Sequence, residues 1–312
     1  MRLSVLDQSP VSEGSTGTQA LANTLDLARR ADALGYHRYW VAEHHGGALL
    51  AGPSPEALIG PVALAAPNMR VGSGGVMLPH YSPFKVAETF AVLAGLFPGR
   101  IDLGLGRAAG TDALTTFALQ RDRRQVAPDD FPDQLSELLA YLDGTLPDDH
   151  PFARLELPAS ERPVPWLLGS SSESAVWADQ LGLDYAFADF INAGGARLSL
   201  AKPPRAVAVW ALAADSTEEA EHLAASSRMA MLELRRGNPI PVPPPEKAVE
   251  YLRHVPRGHR SAGRRAIVGT PAEVRAGLET IAYAYGAEEA IIVTITHDHA
   301  ARVRSYELIA AA

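Results

Sequence analysis

Four short stretches combine residue types that can do chemistry. The first is Tyr39-Trp40-Val41-Ala42-Glu43-His44-His45, an apolar run that ends in one carboxylate and two imidazoles. Histidine titrates near neutral pH, so it can give or take a proton in a reaction. If the run is a strand, successive side chains face opposite sides, and His44 and His45 do not enter one site together. That also argues against a zinc site made from these neighbours. The second stretch is Val71-Gly72-Ser73-Gly74-Gly75-Val76-Met77-Leu78-Pro79. Glycines inside a strand weaken its packing. They mark either a bulge or a place where a flat ligand or another backbone comes close. The strongly apolar flanks, which tolerate the defect, favour the second reading.

The third stretch, Ile101-Asp102-Leu103-Gly104-Leu105-Gly106-Arg107, closes an apolar run with a guanidinium. Such an Arg can hold an anion through two N–H groups or make a structural ion pair. The fourth is Gly169-Ser170-Ser171-Ser172-Glu173-Ser174, with a helical pattern starting at once. Free backbone N–H groups, hydroxyls and the helix dipole together make a phosphate site. Plain N-capping needs one serine, and this turn has four. His297 and His299 have a metal-compatible spacing without a third ligand, and read as a solvated helix start. No metal site is expected. The chain has no cysteine, so thiolate chemistry, disulfides and iron–sulfur clusters are excluded. Walker, Rossmann and nucleophile-elbow signatures are absent.

These residues need a frame that brings them together. Hydrophobic patterning predicts strands at residues 3–6, 38–42, 70–78, 101–106, 164–169, 183–188, 205–213 and 289–296. It predicts helices between them at residues 18–34, 55–65, 84–96, 131–142, 172–181, 217–236 and 273–285, and a last one at 300–311. Strands such as Ile291-Ile292-Val293-Thr294-Ile295, with almost no polar alternation, suit a parallel sheet covered on both faces. Eight β/α units suggest a closed (β/α)8 TIM-type barrel, with a doubly wound open sheet as the alternative. No linker-like break interrupts the chain, so residues 1–312 read as one domain. The one irregular stretch, residues 237–263, carries six prolines and a basic end. It reads as an excursion between strands seven and eight, without regular elements where prolines cluster. At the barrel mouth it is either a surface detour or a lid, with Gly237, Gly258 and Gly263 as hinges and Arg253, His254, Arg257, His259 and Arg260 as its charges.

Composition narrows the class. Of 312 residues, 47% are hydrophobic and 21% charged, the balance of an ordinary soluble globular protein. The net charge of -8, from 28 Lys+Arg against 36 Asp+Glu, argues against a nucleic-acid surface. The first residues, MRLSVLDQSP, are strand-like without an apolar signal core, and no apolar run approaches the roughly 18 residues of a membrane span. A cytoplasmic enzyme with neither nucleic-acid nor membrane partners is expected.

WVAEHH, RVGSGGVMLP and GRIDLGLGRAAGTD, in this order and spacing, resemble the bacterial luciferase-like flavin monooxygenases. The resemblance is strongest to their short single-domain branch of luciferase-family oxidoreductases. It runs from LSVLDQSPV to the end of the chain, with VPWLLGSSSESA and RSYELIA as further landmarks. It implies a TIM-type barrel that associates as a homodimer. It places a flavin ring against Ala42, Gly74 and Gly75, with a non-prolyl cis peptide at Gly74–Gly75. His44 matches the family's active-site histidine, Arg107 its flavin-phosphate arginine, and Ser170, Ser171 and Ser174 its phosphate-binding turn. The implied reaction oxidises an organic substrate with O2 and reduced FMN, which a separate flavin reductase supplies. A deazaflavin-dependent oxidoreductase and a flavin-binding protein without turnover are alternatives. The serine turn taken alone would also fit a phospho-ligand isomerase. The chain departs from luciferase at Gly106, where luciferase has a reactive cysteine. After Phe190-Ile191-Asn192 it also has a shorter connection than relatives, which implies a truncated sixth helix.

Overall fold

The computed structural model describes residues 1–107, 111–120, 122–124, 129–159, 161–193, 202–256 and 265–312. Its strands are β1 (Arg2–Asp7), β2 (Arg38–Val41), β3 (Arg70–Met77), β4 (Ile101–Gly106), β5 (Val164–Gly169), β6 (Asp184–Ala188), β7 (Ala206–Ala213), β8 (Ala266–Gly269) and β9 (Glu289–Val293). From β1 to β7 each strand pairs in parallel with the next, and β9 pairs with both β7 and β1. This closes an eight-stranded barrel and excludes the open sheet. The strand β8 is additional. It pairs with Trp210–Ala213 at the far end of β7, beyond most of the stretch that pairs with β9.

The helices are α1 (Gly17–Ala33), α2 (Pro55–Ala65), α3 (Pro83–Leu96), α4 (Ala113–Leu119), α5 (Phe131–Asp143), α6 (Ser172–Gln180), α7 (Thr217–Arg235), α8 (Pro245–Arg253), α9 (Pro271–Tyr285) and α10 (His299–Ala311). Their starts follow local chemistry. Thr16, Ser171, Ser216 and Asp298 cap α1, α6, α7 and α10 through side-chain oxygens. Thr270 and Glu273 form a reciprocal capping box on α9. The excursion differs from expectation. Its prolines do not prevent a helix: Pro245 is the first residue of α8, where a missing N–H costs nothing. The helix α4, capped by Asp112, is also beyond what the apolar pattern showed. Residues 257–263 of the expected lid, with Arg257, Gly258, His259, Arg260 and Gly263, lie outside the described residues. So do residues 194–201 of the connection before β7.

Two apolar layers explain the missing alternation in the strands. Val5, Tyr39, Val41, Leu103 and Val209 face the helices. Leu6, Trp40, Trp166, Ala208 and Ile291 fill the barrel interior. At the N-terminal end of the strands the interior is charged. Arg38 binds Glu289 through Nε and Nη2, at 2.6 and 3.0 Å, and Asp102 through Nη1, at 2.6 Å. Burial opposes the charge on Arg38, but the two carboxylates outweigh it and raise its pKa. No helix among the described residues is long and apolar enough to cross a membrane.

Candidate functional site

The strand ends that carry Ala42, His44, Gly74, Gly75, Arg107, Ser170, Ser171 and Ser174 surround one cavity of about 290 Å³. It opens at the carboxyl ends of β2 to β6, the face on which barrel enzymes build their sites. All eight sequence-derived residues line it. Gln8, Met77, Phe190 and Ile191 line it too. Met77 follows the glycines on β3, while Gln8, Phe190 and Ile191 reach the cavity from after β1 and β6 and were not assigned to it from the sequence.

The cavity has an apolar slot at one end. The peptide between Gly74 and Gly75 is cis, and β3 slips in register against β4 between Gly74 and Val76. A Cβ on Gly75 would lie 2.7 Å from the Gly104 carbonyl oxygen and 2.7 Å from Leu168. One on Gly74 would lie 2.6 Å from Leu6. Only bare backbone fits here. With Ala42, Ala186, Ala188 and Ala208 it leaves a flat slot bounded by Trp40, Leu168 and Ile291. Gly106, where luciferase has cysteine, sits against Met77: a Cβ there would approach its sulfur to 3.3 Å.

His44 stands at the edge of this slot, and its neighbours explain its pose. Its backbone N–H donates to the Gly52 carbonyl at 3.1 Å. Glu43 points the other way and is fully buried. Glu43 accepts from the Tyr81 hydroxyl at 2.9 Å and from the Met77 N–H at 3.0 Å, and His45 Nε2 lies 2.7 Å from it. Burial and this carboxylate push the Tyr81 hydroxyl pKa up. The alternation thus separates His44 from His45 as expected, since His45 lies on the Glu43 side. The Glu43 contacts to Met77 and Tyr81 had no sequence signal, because they cross from the segment after β2 to the end of β3 and the turn beyond it.

At the other end lies a polar turn. Ser171 caps α6, accepting from the Ser174 N–H, and the two hydroxyls are 3.3 Å apart. The Tyr185 hydroxyl donates to the Ser171 carbonyl, and the Asn192 side chain to that of Ser170. A Cβ on Gly169 would lie 2.6 Å from Ser174 Cβ, so glycine is needed for the turn to close. Arg107 lines the cavity and also pairs with Glu173 of α6 at 2.9 Å, its guanidinium 5.1 Å from the Trp177 ring. Arg107 and Ser171 therefore each make the local structural contact and also face the cavity. Hydroxyls, a helix start and a guanidinium form a donor set that suits a phosphate monoester, while the slot suits a planar ring. His297 and His299 are elsewhere, beside the Glu13 carbonyl and Asp26. Among the described residues no cluster could hold a metal ion.

The sequence profile of luciferase-like monooxygenases matches residues 1–289. The chain is 40% identical to a luciferase-like monooxygenase of Escherichia coli (strain K12), over 98% of this chain and 95% of that one. It is 38% identical to N-acetyl-S-alkylcysteine monooxygenase of Bacillus subtilis (strain 168), over 99% and 97%. The crystal structure of apo-MsnO8 superposes with a TM-score of 0.88 at 39% identity, covering 99% of this chain and 97% of that one.

Proposed function

Because the chain belongs to the luciferase-like monooxygenase family, we propose that it oxidises a small organic substrate with O2, using reduced FMN held in the cavity between His44 and the Ser170–Ser174 turn. The observation that carries this reading is the shape of that one cavity. A flat apolar slot and a phosphate-type donor set stand at its two ends. Reduced FMN, when bound, supplies the electrons that activate O2. The chain does the rest. Ala42, Gly74 and Gly75 give the ring a floor, and Ser170, Ser171, Ser174 and Arg107 anchor the phosphate. Trp40, Phe190 and Ile291 keep water out. His44 holds or passes a proton at the slot's edge.

FMN is favoured over a deazaflavin with a polyanionic tail. Arg107 is the one cation among the described lining residues, and Glu173 already pairs with it. One shared guanidinium suits one phosphate. No nicotinamide fingerprint is present in the sequence, which supports a separate flavin reductase as electron donor. The relative's N-acetyl-S-alkylcysteine class is the first substrate class to assay.

Arg107→Ala is expected to weaken FMN binding about tenfold or more and leave riboflavin binding within about twofold, since a charge-assisted pair to phosphate is lost. Glu173→Gln should strengthen FMN binding by releasing Arg107. Titration by flavin fluorescence quenching reads both, and equal losses for FMN and riboflavin would place Arg107 outside the phosphate site.

A homodimer fits the same reading. Leu64 of α2 is 75% exposed, and Val92 and Leu96 of the neighbouring α3 are 47% and 66% exposed, apolar side chains that a partner copy would cover. Sedimentation velocity should show a dimer that Leu64→Glu with Leu96→Glu converts to monomer. A monomeric parent chain would overturn the assignment.

A further inference from the structure

A second cavity, of about 230 Å³, lies next along the barrel mouth. On β7 it is lined by Trp210 and Leu212, two and four residues beyond Ala208 of the first cavity. On β9 and just after it, Val293 and Ile295 stand two and four beyond Ile291. Side chains two apart share a strand face, so the second cavity continues the first along the same inner wall. The rings of Phe190, in the first cavity, and Trp210, in the second, stack with centroids 6.0 Å apart. The stack lies where the two linings meet. The roof is α7, through Ser227, Arg228 and Met231, and Arg265, Ala266 and Val268 complete the side at β8. The compartment is therefore bounded by α7 and β8, which lie between β7 and β9 in the chain.

The lining is apolar except for Ser227 and two guanidinia, and no carboxylate belongs to it among the described residues. Asp189, fully buried, binds Arg265 through Nε and Nη2, and Glu221 binds Arg228 through Nη1. A guanidinium carries five donors, so these pairs leave each arginine able to meet a further acceptor. Glu221 is half exposed and screened by water, whereas the Arg228 side chain is 28% exposed. The cavity side therefore presents guanidinium N–H donors that are partly desolvated, Arg228 being 28% and Arg265 40% exposed, which a carboxylate can meet.

We propose that this second cavity is the substrate compartment and that it takes a small apolar molecule bearing one carboxylate. Its apolar body lies against Trp210, Met231 and Ile295, and its carboxylate meets Arg228 and Arg265. Assigning it to the substrate rests on the first cavity holding the flavin. The Phe190–Trp210 stack then sets the distance between the substrate's reacting atom and the ring.

The test compares N-acetyl-S-ethyl-L-cysteine with its methyl ester, by calorimetry and tryptophan fluorescence, on the full chain without flavin. The acid should bind about tenfold tighter than the ester and change the fluorescence, and Trp210→Phe should remove that change. Arg228→Gln should cut the preference for the acid to about threefold or less, with ester affinity unchanged. Arg265 is left intact because its loss would strand the buried Asp189. Equal affinities for acid and ester, an unaffected Arg228→Gln variant, or binding without a Trp210 signal would each overturn the proposal. FMN is titrated separately. A chain that binds the acid as described but not FMN overturns the cofactor reading alone.

Discussion

Replacing Arg38 with methionine should destabilise the fold by about 3–5 kcal/mol, a large share of the roughly 5–15 kcal/mol that holds a typical domain together. Arg38 is 2% exposed and sits 4.5 Å from the Trp166 ring, with Glu289 and Asp102 on its two edges. Without it Asp102 keeps the Arg70 guanidinium and the Trp40 indole N–H. Glu289 keeps only the Ser4 hydroxyl among these partners and becomes a buried, unpaired carboxylate. Burial without a cation raises a carboxyl pKa. In the variant the folded state then binds a proton that the unfolded state has released, so stability falls as pH rises through that range. The deficit should shrink on acidification and in the double variant Arg38→Met with Glu289→Gln. Thermal unfolding across pH reads both effects. A variant that melts with the parent at neutral pH would show that the cluster does not hold the barrel's N-terminal end.

His44→Ala should lower kcat/KM for substrate oxidation about 10²- to 10⁴-fold, the usual contribution of a positioned proton-transfer group. FMN affinity should stay within a few-fold, because the slot and the phosphate turn are untouched. Reducing equivalents should then leave as hydrogen peroxide rather than as oxidised substrate, so the ratio of peroxide to product rises. The fold should survive, since His44 is only part-buried and Glu43, which points away, keeps its contacts to Tyr81 and Met77. If flavin binding collapses while the ratio of peroxide to product stays constant, His44 shapes the slot and moves no proton.

Much of the site was legible because its signals are local. A glycine cluster in an apolar strand announces bare backbone, and a serine turn before a helix announces exposed donors. The strand polarity of a β/α barrel then sends the ends of β2, β3, β4 and β5 to one face. Side-chain alternation also separated His44 from His45 before any contact was known. The excursion was harder. Proline clusters read as breakers, yet Pro245 fits the first turn of α8, and a four-residue strand such as β8 has too short a pattern to stand out.

A β/α alternation that favours a barrel, the eight residues round the first cavity and the family resemblance were legible along the chain, since each rests on near-neighbour spacing and on repeated β/α units; closure through β9 then excluded the open sheet. The tertiary structure decided the pairings that close the chain on itself. Arg38 finds Glu289 across 251 positions and Asp102 across 64, and Asp189 finds Arg265 across 76. It also decided that Arg107 shares its charge with Glu173, and that Phe190 and Trp210 stack where the two cavities meet. The physical reason is the same in each case. A buried charge or ring needs a partner, but spacing along the chain does not say which one, and only closure of the barrel brings the two within reach.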